Sequence, residues 1–268
     1  MVQLEPHLTL TLKYLASCGA VITTEQQAAL EYSLPIKRIE AGLRTLVLWG
    51  KILCLNGKDY LIAEGYNQAE IKDSYVSTET KYYYSQDGVR WSDLQSIDGD
   101  TSTRSAKIRG QLSGDPSKNY ELEERDPNAP EKADGTEEEP KNIVFQIPEL
   151  SVLRFRVDSI NNSTGVIPAN SMVINASNQV VSNHLFAGCA FPGKLESYQH
   201  RFIPPGGPSL AEDLRGSWSI HYDPFRAIAQ CRSLLWPGYF FYYSNNDLSW
   251  GSLYVGNGLR NNDLIFML

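Results

Sequence analysis

The chain has 268 residues, of which 42% are hydrophobic and 21% are charged, and its formal net charge is −7. This length is enough to bury a core, and the composition is that of a globular protein. Residues 115–141 hold ten acidic and four basic side chains, so −6 of the charge lies there and the rest of the chain is close to neutral. A nucleic-acid-binding protein normally carries a basic face, so this charge distribution argues against that class.

The sequence contains no membrane or export signal that we recognise. No run of about 18 apolar residues occurs, and the first residues lack the basic and apolar parts of a signal peptide. We therefore expect a soluble intracellular protein. Four cysteines are spread along the chain without a C-x-x-C pair, which predicts buried free thiols.

Residues 1–45 are predicted to be a helical segment. Apolar residues between positions 8 and 20 recur at helical spacing, which indicates one amphipathic helix. Thr24 is followed three residues later by Gln27, a capping-box pattern, so a second helix is predicted from residue 25 to about 33. Pro35 is expected to end that helix. The two helices are predicted to cover a β-sheet.

Residues 46–114 are predicted to be a hairpin-rich β region. Residues 47–55 and 58–63 flank Asn-Gly, the dipeptide typical of a type I′ turn. Residues 81–85 and 89–92 flank Asp-Gly in a second hairpin. Three consecutive tyrosines at 82–84 fit a strand covered on both faces or one aromatic face presented to a partner.

Residues 115–141 are predicted to be an acidic flexible loop, because they hold four prolines and few large apolar side chains. An acidic docking element is an alternative. A calcium loop is disfavoured because the spacing of an EF-hand is absent.

Residues 142–268 are predicted to be β-rich and to form one compact fold with residues 46–114. Short alternating segments at 143–147, 153–157, 172–174 and 180–181 indicate strands, and the last fifty residues indicate a C-terminal β-meander. The chain ends on five apolar residues, which predicts a terminus docked in a core or an interface. The predicted fold class is therefore α+β and β-rich, with N-terminal short helices packed on antiparallel sheets.

No catalytic, cofactor or metal site is predicted. The four histidines (His7, His184, His200 and His221) lack the spacing of metal ligands. Residues 216–220 lack the second glycine of a nucleophile elbow, and no phosphate-binding glycine loop occurs. A carbohydrate-binding module or a glycoside hydrolase is the alternative that a β-rich chain with many aromatic and acidic residues leaves open.

Several segments resemble the radial spoke head protein 9 family. They are GSWSI at 216–220, RSLLWPG at 232–238, YVGNG at 254–258, the terminal NDLIFML, LVLWGKIL at 46–53, YLIAEG at 60–65, the aromatic hairpin at 84–92 and GQLSGDPS at 110–117. The family pattern has proline where this chain has Ile265. The resemblance runs in order along nearly the whole chain.

This resemblance implies a non-enzymatic structural subunit of the axonemal radial spoke head in motile cilia or flagella. It implies other spoke head proteins, namely radial spoke head proteins 4 and 6, as partners in a hetero-oligomeric complex, without nucleic acid or membrane. Because buried aromatic and arginine residues usually anchor interfaces, the candidate interface residues are Trp49, Trp218, Arg232, Trp236, Tyr254 and Phe266. Strand positions make the core the alternative location for Trp49, Trp218 and Trp236.

Overall fold

The computed structural model describes residues 8–19, 22–72, 75–125 and 142–266. These contain four α-helices: α1 (Leu8–Leu15), α2 (Thr24–Glu40), α3 (Gly99–Lys107) and α4 (Glu149–Thr164). The strands are β1 (Thr45–Ile52), β2 (Tyr60–Lys72), β3 (Tyr75–Ser85), β4 (Ser92–Leu94), β5 (Asn119–Arg125), β6 (Asn142–Pro148), β7 (Val166–Pro168), β8 (Met172–Ile174), β9 (Gln179–Ser182), β10 (Tyr198–His200), β11 (Trp218–Asp223), β12 (Ile228–Ser233), β13 (Tyr239–Ser244) and β14 (Ser249–Gly256). The predicted α+β, β-rich class is confirmed.

One ten-stranded sheet organises the chain. Its main order is β11-β12-β13-β14-β1-β2-β3-β4, and β9 and β8 attach to β2. The pairing of β1 with β14 is parallel, and the other pairings are antiparallel. This parallel pairing places residues from the two predicted β regions in the same sheet. Two smaller pairs, β5 with β6 and β7 with β10, complete the strands.

The sheet is covered on both faces, so its strands carry apolar side chains at consecutive positions. Tyr82 packs in the cluster that contains α4, and Tyr83 packs in the opposite cluster beneath α1 and α2. Strand β13 behaves in the same way, with Phe241 in the first cluster and Tyr242 in the second. The three consecutive tyrosines therefore mark a strand covered on both faces, one of the two arrangements that the sequence left open.

The predicted limits of the second helix are wrong. The N-cap is Thr23, whose side chain accepts from the backbone of Gln26, so the capping box lies one residue earlier than predicted. The helix also continues through Pro35 to Glu40. Pro35 and Glu31 both lie on the exposed side, so the carbonyl that loses its intrahelical donor remains accessible to water.

The predicted strand at 153–157 is also wrong, because this segment lies inside α4. Its alternating leucine, phenylalanine and valine mimic a strand over five residues. Over the whole helix the buried positions recur at helical spacing: Glu149, Val152, Leu153, Arg156, Val157, Ile160, Asn161 and Thr164.

The hairpin between β1 and β2 exists, but the predicted two-residue turn does not. Pairing ends at Ile52 and Tyr60, and residues 53–59 form a longer connection. Only Gly57 of the Asn-Gly dipeptide has a positive φ, whereas a type I′ turn requires it at both positions. The reason is that this connection bonds elsewhere: Leu55 donates to Leu112 and Asn56 to Ser113.

Part of the predicted acidic loop is ordered. Residues 119–125 form β5, paired throughout with β6, and Leu122 packs against the core. Residues 126–141 lie outside the described residues, so the loop prediction for them stays a prediction.

The C-terminal meander β11–β14 is confirmed, but the predicted strand-like tail is not. Strand β14 lies between β13 and β1, so it offers no free edge to the tail. The tail instead forms a 3-10 turn over Asn262–Phe266, in which Leu264 is buried while Ile265 and Phe266 are exposed. Residues 267 and 268 lie outside the described part of the chain.

Candidate functional site

Four of the six candidate interface residues lie in the core of this chain. Trp49, Trp218, Trp236 and Tyr254 are all less than 9% exposed. The indole N–H of Trp49 donates to Asn161 Oδ1 at 2.7 Å, and its ring packs 5.3 Å from that of Tyr254. These side chains are enclosed by the chain's own residues. For the three tryptophans this is the core location that the sequence offered as the alternative to an interface.

The other two candidates lie at the surface. Arg232 is exposed on β12, and its guanidinium carbon lies 5.9 Å from the ring centroid of Phe240. Phe266 is 87% exposed at the end of the 3-10 turn. Exposed arginine and aromatic side chains are the kinds of residue that form interaction hot spots, so these two remain candidates.

Arg232 lines a groove between α1 and the outer strands of the sheet, which we call the basic groove. It encloses about 870 Å³, and its charged residues are Lys13, Arg226, Arg232, Asp223 and Asp247. Asp247 accepts from the hydroxyl of Tyr14 at 2.7 Å, and Asp223 accepts from the backbone of the turn that follows it. The groove therefore has three permanent cations and two carboxylates that are already engaged.

A smaller cavity of about 300 Å³ lies over Trp49 on the other face of the sheet. The guanidinium of Arg201 and the carboxylate of Glu64 lie in its wall and pair at 2.6 Å. Nearby acidic Glu64 raises the pKa of the Arg201 guanidinium against the effect of its burial. The pair neutralises itself, so the charge that remains in the lining of this cavity is that of Arg44.

The most buried carboxylate, Glu149 at the start of α4, was missed by the sequence analysis. It accepts from the hydroxyls of Tyr60 and Tyr120 at 2.9 and 2.8 Å and from the backbone of Ser113 and Gly114. Burial alone raises the pKa of a carboxyl, but these hydrogen bonds outweigh it and hold the pKa of Glu149 below its usual value. The Pro-Glu pair that opens α4 is a helix-start signal that could have located it.

One histidine–carboxylate pair lies within the described part of the chain. His200 Nε2 lies 2.8 Å from Asp213 Oδ2, which also accepts from the indole N–H of Trp218 at 2.7 Å. Burial alone would raise the pKa of Asp213. The hydrogen bonds from His200 and Trp218 have the larger effect and hold this pKa below its usual value. No nucleophilic side chain bonds to this histidine among the described residues, so the contact ties β10 to β11 and to the loop before it.

Thiol and metal chemistry find no support in the described residues. The four cysteines are free. Burial raises the pKa of Cys54 to about 12 and that of Cys189 to about 11, so both are protonated at neutral pH. Within the ranges that the structure describes, no group of three His, Cys, Asp or Glu side chains has the geometry to hold a metal ion. None of the described helices is long and apolar enough to span a membrane.

Comparison with known proteins assigns the chain to a family. No protein-family model matches it. It is 32% identical to the radial spoke head protein 9 homolog of Xenopus tropicalis over 283 aligned positions, which cover 97% of this chain and 98% of the relative. It is 31% identical to the homologs of Bos taurus and Homo sapiens, with the same coverage. The chain belongs to the radial spoke head protein 9 family.

In this radial spoke head protein 9 family member, the segment GQLSGDPS is a structural anchor. Leu112 is fully buried, and Ser113 and Gly114 both donate to Glu149. Gly114 has φ +90°, and a Cβ there would lie 2.7 Å from the carbonyl oxygen of Lys58. Glycine at this position lets two loops approach closely, which explains the motif without a ligand.

The C-terminal segments of the family resemblance close the meander. Gly238 has φ +104°, and a Cβ there would lie 2.3 Å from the carbonyl oxygen of Val255. The hydroxyl of Tyr254 accepts from the backbone of Gly258 at 2.9 Å. Trp236 donates its backbone N–H to the hydroxyl of Ser233. These contacts fix the connection between β12 and β13 and the end of β14.

Proposed function

We propose that this protein is a non-enzymatic structural subunit of the radial spoke head in the axoneme of motile cilia or flagella. The observation that carries the proposal is the match to curated radial spoke head protein 9 homologs along 97% of the chain. Because the similarity also covers 98% of these relatives, the whole fold is shared rather than a single module.

In the spoke head this subunit contributes to assembly and to mechanical signalling between the central apparatus and the dynein arms. Its direct partners are radial spoke head proteins 4 and 6. A ten-stranded sheet with helices or loops packed on both faces supports a load-bearing role, because close-packed protein interiors deform little. The exposed Arg232 and Phe266 are the side chains through which we expect contact with partners.

A non-catalytic role is supported by the chemistry of the most buried carboxylate. A glycoside hydrolase needs one carboxylic acid whose pKa is raised, so that it protonates the leaving group. The hydrogen bonds to Glu149 lower its pKa instead, and Asp158, a carboxyl whose pKa is raised by burial, is held by Arg154 in an ion pair of 2.8 Å. The four donor residues of Glu149 also occupy the positions where a substrate would have to approach.

The test is a tagged copy expressed in a ciliated cell that lacks the endogenous protein. We expect the null cell to assemble cilia that are stiff or beat abnormally, and the tagged copy to restore beating and to co-purify with radial spoke head proteins 4 and 6 from isolated axonemes. Normal motility in the verified null cell would refute the assignment. Saturable binding of polysaccharide by the purified protein would instead favour the carbohydrate reading.

A further inference from the structure

Strand β11 has an unpaired outer edge. It is the terminal strand of the large sheet and pairs only with β12. Leu234 donates its backbone N–H to the carbonyl of Ser217, so this pair is hydrogen-bonded. Because hydrogen-bonded positions alternate along a strand, the backbone N–H and C=O groups of residues 219, 221 and 223 also point to β12. The N–H and C=O groups of Ile220 and Tyr222 then point away from the sheet, and no described backbone group pairs with them.

The opposite edge of the sheet does not offer the same template. It is β4, which has three residues, whereas β11 has six. Short edge strands are one way in which proteins prevent unwanted pairing. The β11 edge is therefore the longer of the two ends of the main strand order, and it is long enough to register a strand of five or six residues.

The free edge borders the basic groove. His221 and Asp223 line the groove from β11, and Arg232 lines it from β12, opposite Ser219. Neither Lys13 nor Arg232 has a carboxylate within 4 Å among the described residues, whereas Arg226 lies 3.9 Å from Asp223. With three cations against two carboxylates, the groove carries a net charge of +1 in a chain of net charge −7, and its two cations without an ion-pair partner favour an acidic occupant.

An added strand would alternate between two environments. Side chains on the groove face would lie next to Ser219 and His221, within reach of Arg232, which favours glutamate or aspartate there. Beside Asp223 a neutral residue is favoured, because like charges on adjacent strands repel. Side chains on the other face would lie next to the half-buried Ile220 and Tyr222, which favours β-branched residues.

We propose that the β11 edge and the basic groove together bind an extended acidic segment of a neighbouring spoke head subunit, which adds to the sheet as a further strand. Main-chain hydrogen bonds to Ile220 and Tyr222 supply affinity, and Lys13 and Arg232 select acidic side chains. The identity of the neighbour rests on the proposed function, but the chemistry of the bound segment does not.

The binding test uses the purified chain and a fluorescein-labelled twelve-residue peptide that alternates glutamate with valine, with a matched peptide in which glutamine replaces every glutamate. By fluorescence anisotropy we expect the glutamate peptide to bind on the order of tenfold more tightly than the glutamine peptide. This preference should shrink as salt is raised, because exposed charges are screened. Equal affinity for the two peptides, or no binding of either, would overturn the proposal.

Two variants, each with a matched control, distinguish the contribution of the groove's charge to binding from that of the strand edge. The double substitution Lys13→Glu and Arg232→Glu should abolish the preference for glutamate, whereas Lys58→Glu with Arg109→Glu, a matched reversal of two exposed cations outside the groove, should keep it. Ile220→Pro removes an outward N–H without removing a bond to β12 and should abolish binding, whereas Ile220→Ala, which keeps that N–H, should bind. Binding by Ile220→Pro equal to that of Ile220→Ala would contradict strand addition.

Hydrogen exchange on the unmodified protein provides the measurement that does not depend on a variant folding. We expect the glutamate peptide to slow exchange of the Ile220 and Tyr222 amides specifically. Unchanged exchange at both amides, or a peptide-free dimer that protects them and is lost in Ile220→Pro, would overturn the acidic segment as the occupant. These outcomes are independent of axonemal purification, so failure of the spoke head assignment and failure of the edge proposal are distinguishable.

Discussion

Replacing Glu149 with glutamine removes the charge at the centre of a buried hydrogen-bond network. The carboxylate accepts from Tyr60, Tyr120, Ser113 and Gly114, so both of its oxygens are fully used. Glutamine offers one carbonyl oxygen, and its NH₂ group would face donors rather than acceptors. At least two of the four residues that now donate to Glu149 would then lose their acceptor at a position where the side chain of residue 149 is fully buried.

The expected loss of unfolding free energy is about 3–5 kcal/mol, the usual result of removing one partner from a buried charged network. Each hydrogen bond to a charged group contributes roughly 1.5–3 kcal/mol, and the substitution disrupts two or more of them. In a protein of this size about 1 kcal/mol corresponds to roughly 2–4 °C, so the melting temperature should fall by about 6–20 °C. Differential scanning calorimetry of the purified chain measures this directly.

The matched control is Glu121→Gln, the same chemical change at an exposed position on β5. It should leave the melting temperature within about 2 °C of that of the unmodified chain, since surface substitutions usually change stability by less than about 0.5 kcal/mol. If Glu149→Gln also melted within this margin, the anchoring role of the network would be refuted. The two variants should be compared at neutral pH.

Three further predictions follow from buried contacts. Gly238→Ala should lower the melting temperature by about 6–12 °C, corresponding to ~3 kcal/mol, because a Cβ would meet the carbonyl of Val255 at a positive φ. Leu264→Ala should cost about 2–3 kcal/mol in thermal unfolding of the isolated chain, whereas Phe266→Ala should leave that chain unchanged and weaken co-purification with spoke head partners. Trp49→Phe should cost about 1–3 kcal/mol in urea unfolding, because it leaves a buried amide oxygen without its donor.

The buried acid also makes stability depend on pH. Because the folded-state pKa of Glu149 is lowered, its contribution is fully present above the unfolded-state pKa of about 4.3 and is lost as the pH falls through the folded-state value. The unmodified chain should therefore lose stability more steeply below about pH 4.3 than Glu149→Gln does. Parallel slopes for the two proteins in acid would mean that Glu149 is not preferentially ionised in the folded state.

The sequence predicted β11, the first strand of the meander, well because its apolar and polar side chains alternate with a period of two. Trp218, Ile220 and Tyr222 point to the core, and the residues between them face the groove or solvent. In α4 the same rule failed, since Leu153 and Val157 fit both a strand and a helix. Five residues cannot separate periods of 2 and 3.6, whereas the sixteen residues of α4 do.

Turns were less predictable, because their geometry depends on distant partners. The Asn-Gly dipeptide favours a tight turn locally, but Asn56 donates to Ser113 from a different part of the chain. Helix α3 was missed because its sequence is polar, with Ser105 as its only buried residue. Its residues do segregate between two sides of the helix, but through charged and hydroxyl side chains rather than apolar ones, so the apolar pattern that identifies most helices is missing.

Candidate interface residues were the least predictable part, and the reason lies in the sheet. Trp218 and Arg232 occupy neighbouring strands, yet one is in the core and the other lines the basic groove. Which face of an outer strand is covered depends on where α1 ends: Gln230 bonds to the backbone of Tyr14 and holds the helix there. That contact joins residues more than 200 positions apart, and no local pattern encodes it.

The family segments and the candidate surface follow from different physical demands. Gly114 and Gly238 lie in the family segments, and Glu149 is bound by one of them; all three meet requirements that few side chains satisfy, because they depend on positive φ, close backbone approach or a buried charge. The β11 edge needs only unpaired main-chain groups, and the groove needs only cations at its rim, which lysine or arginine supplies from several positions. A sequence signature of this family therefore reports mainly on the fold, whereas we expect partner choice to depend on exposed residues such as Lys13, outside the family segments, and Arg232, the exposed first residue of RSLLWPG.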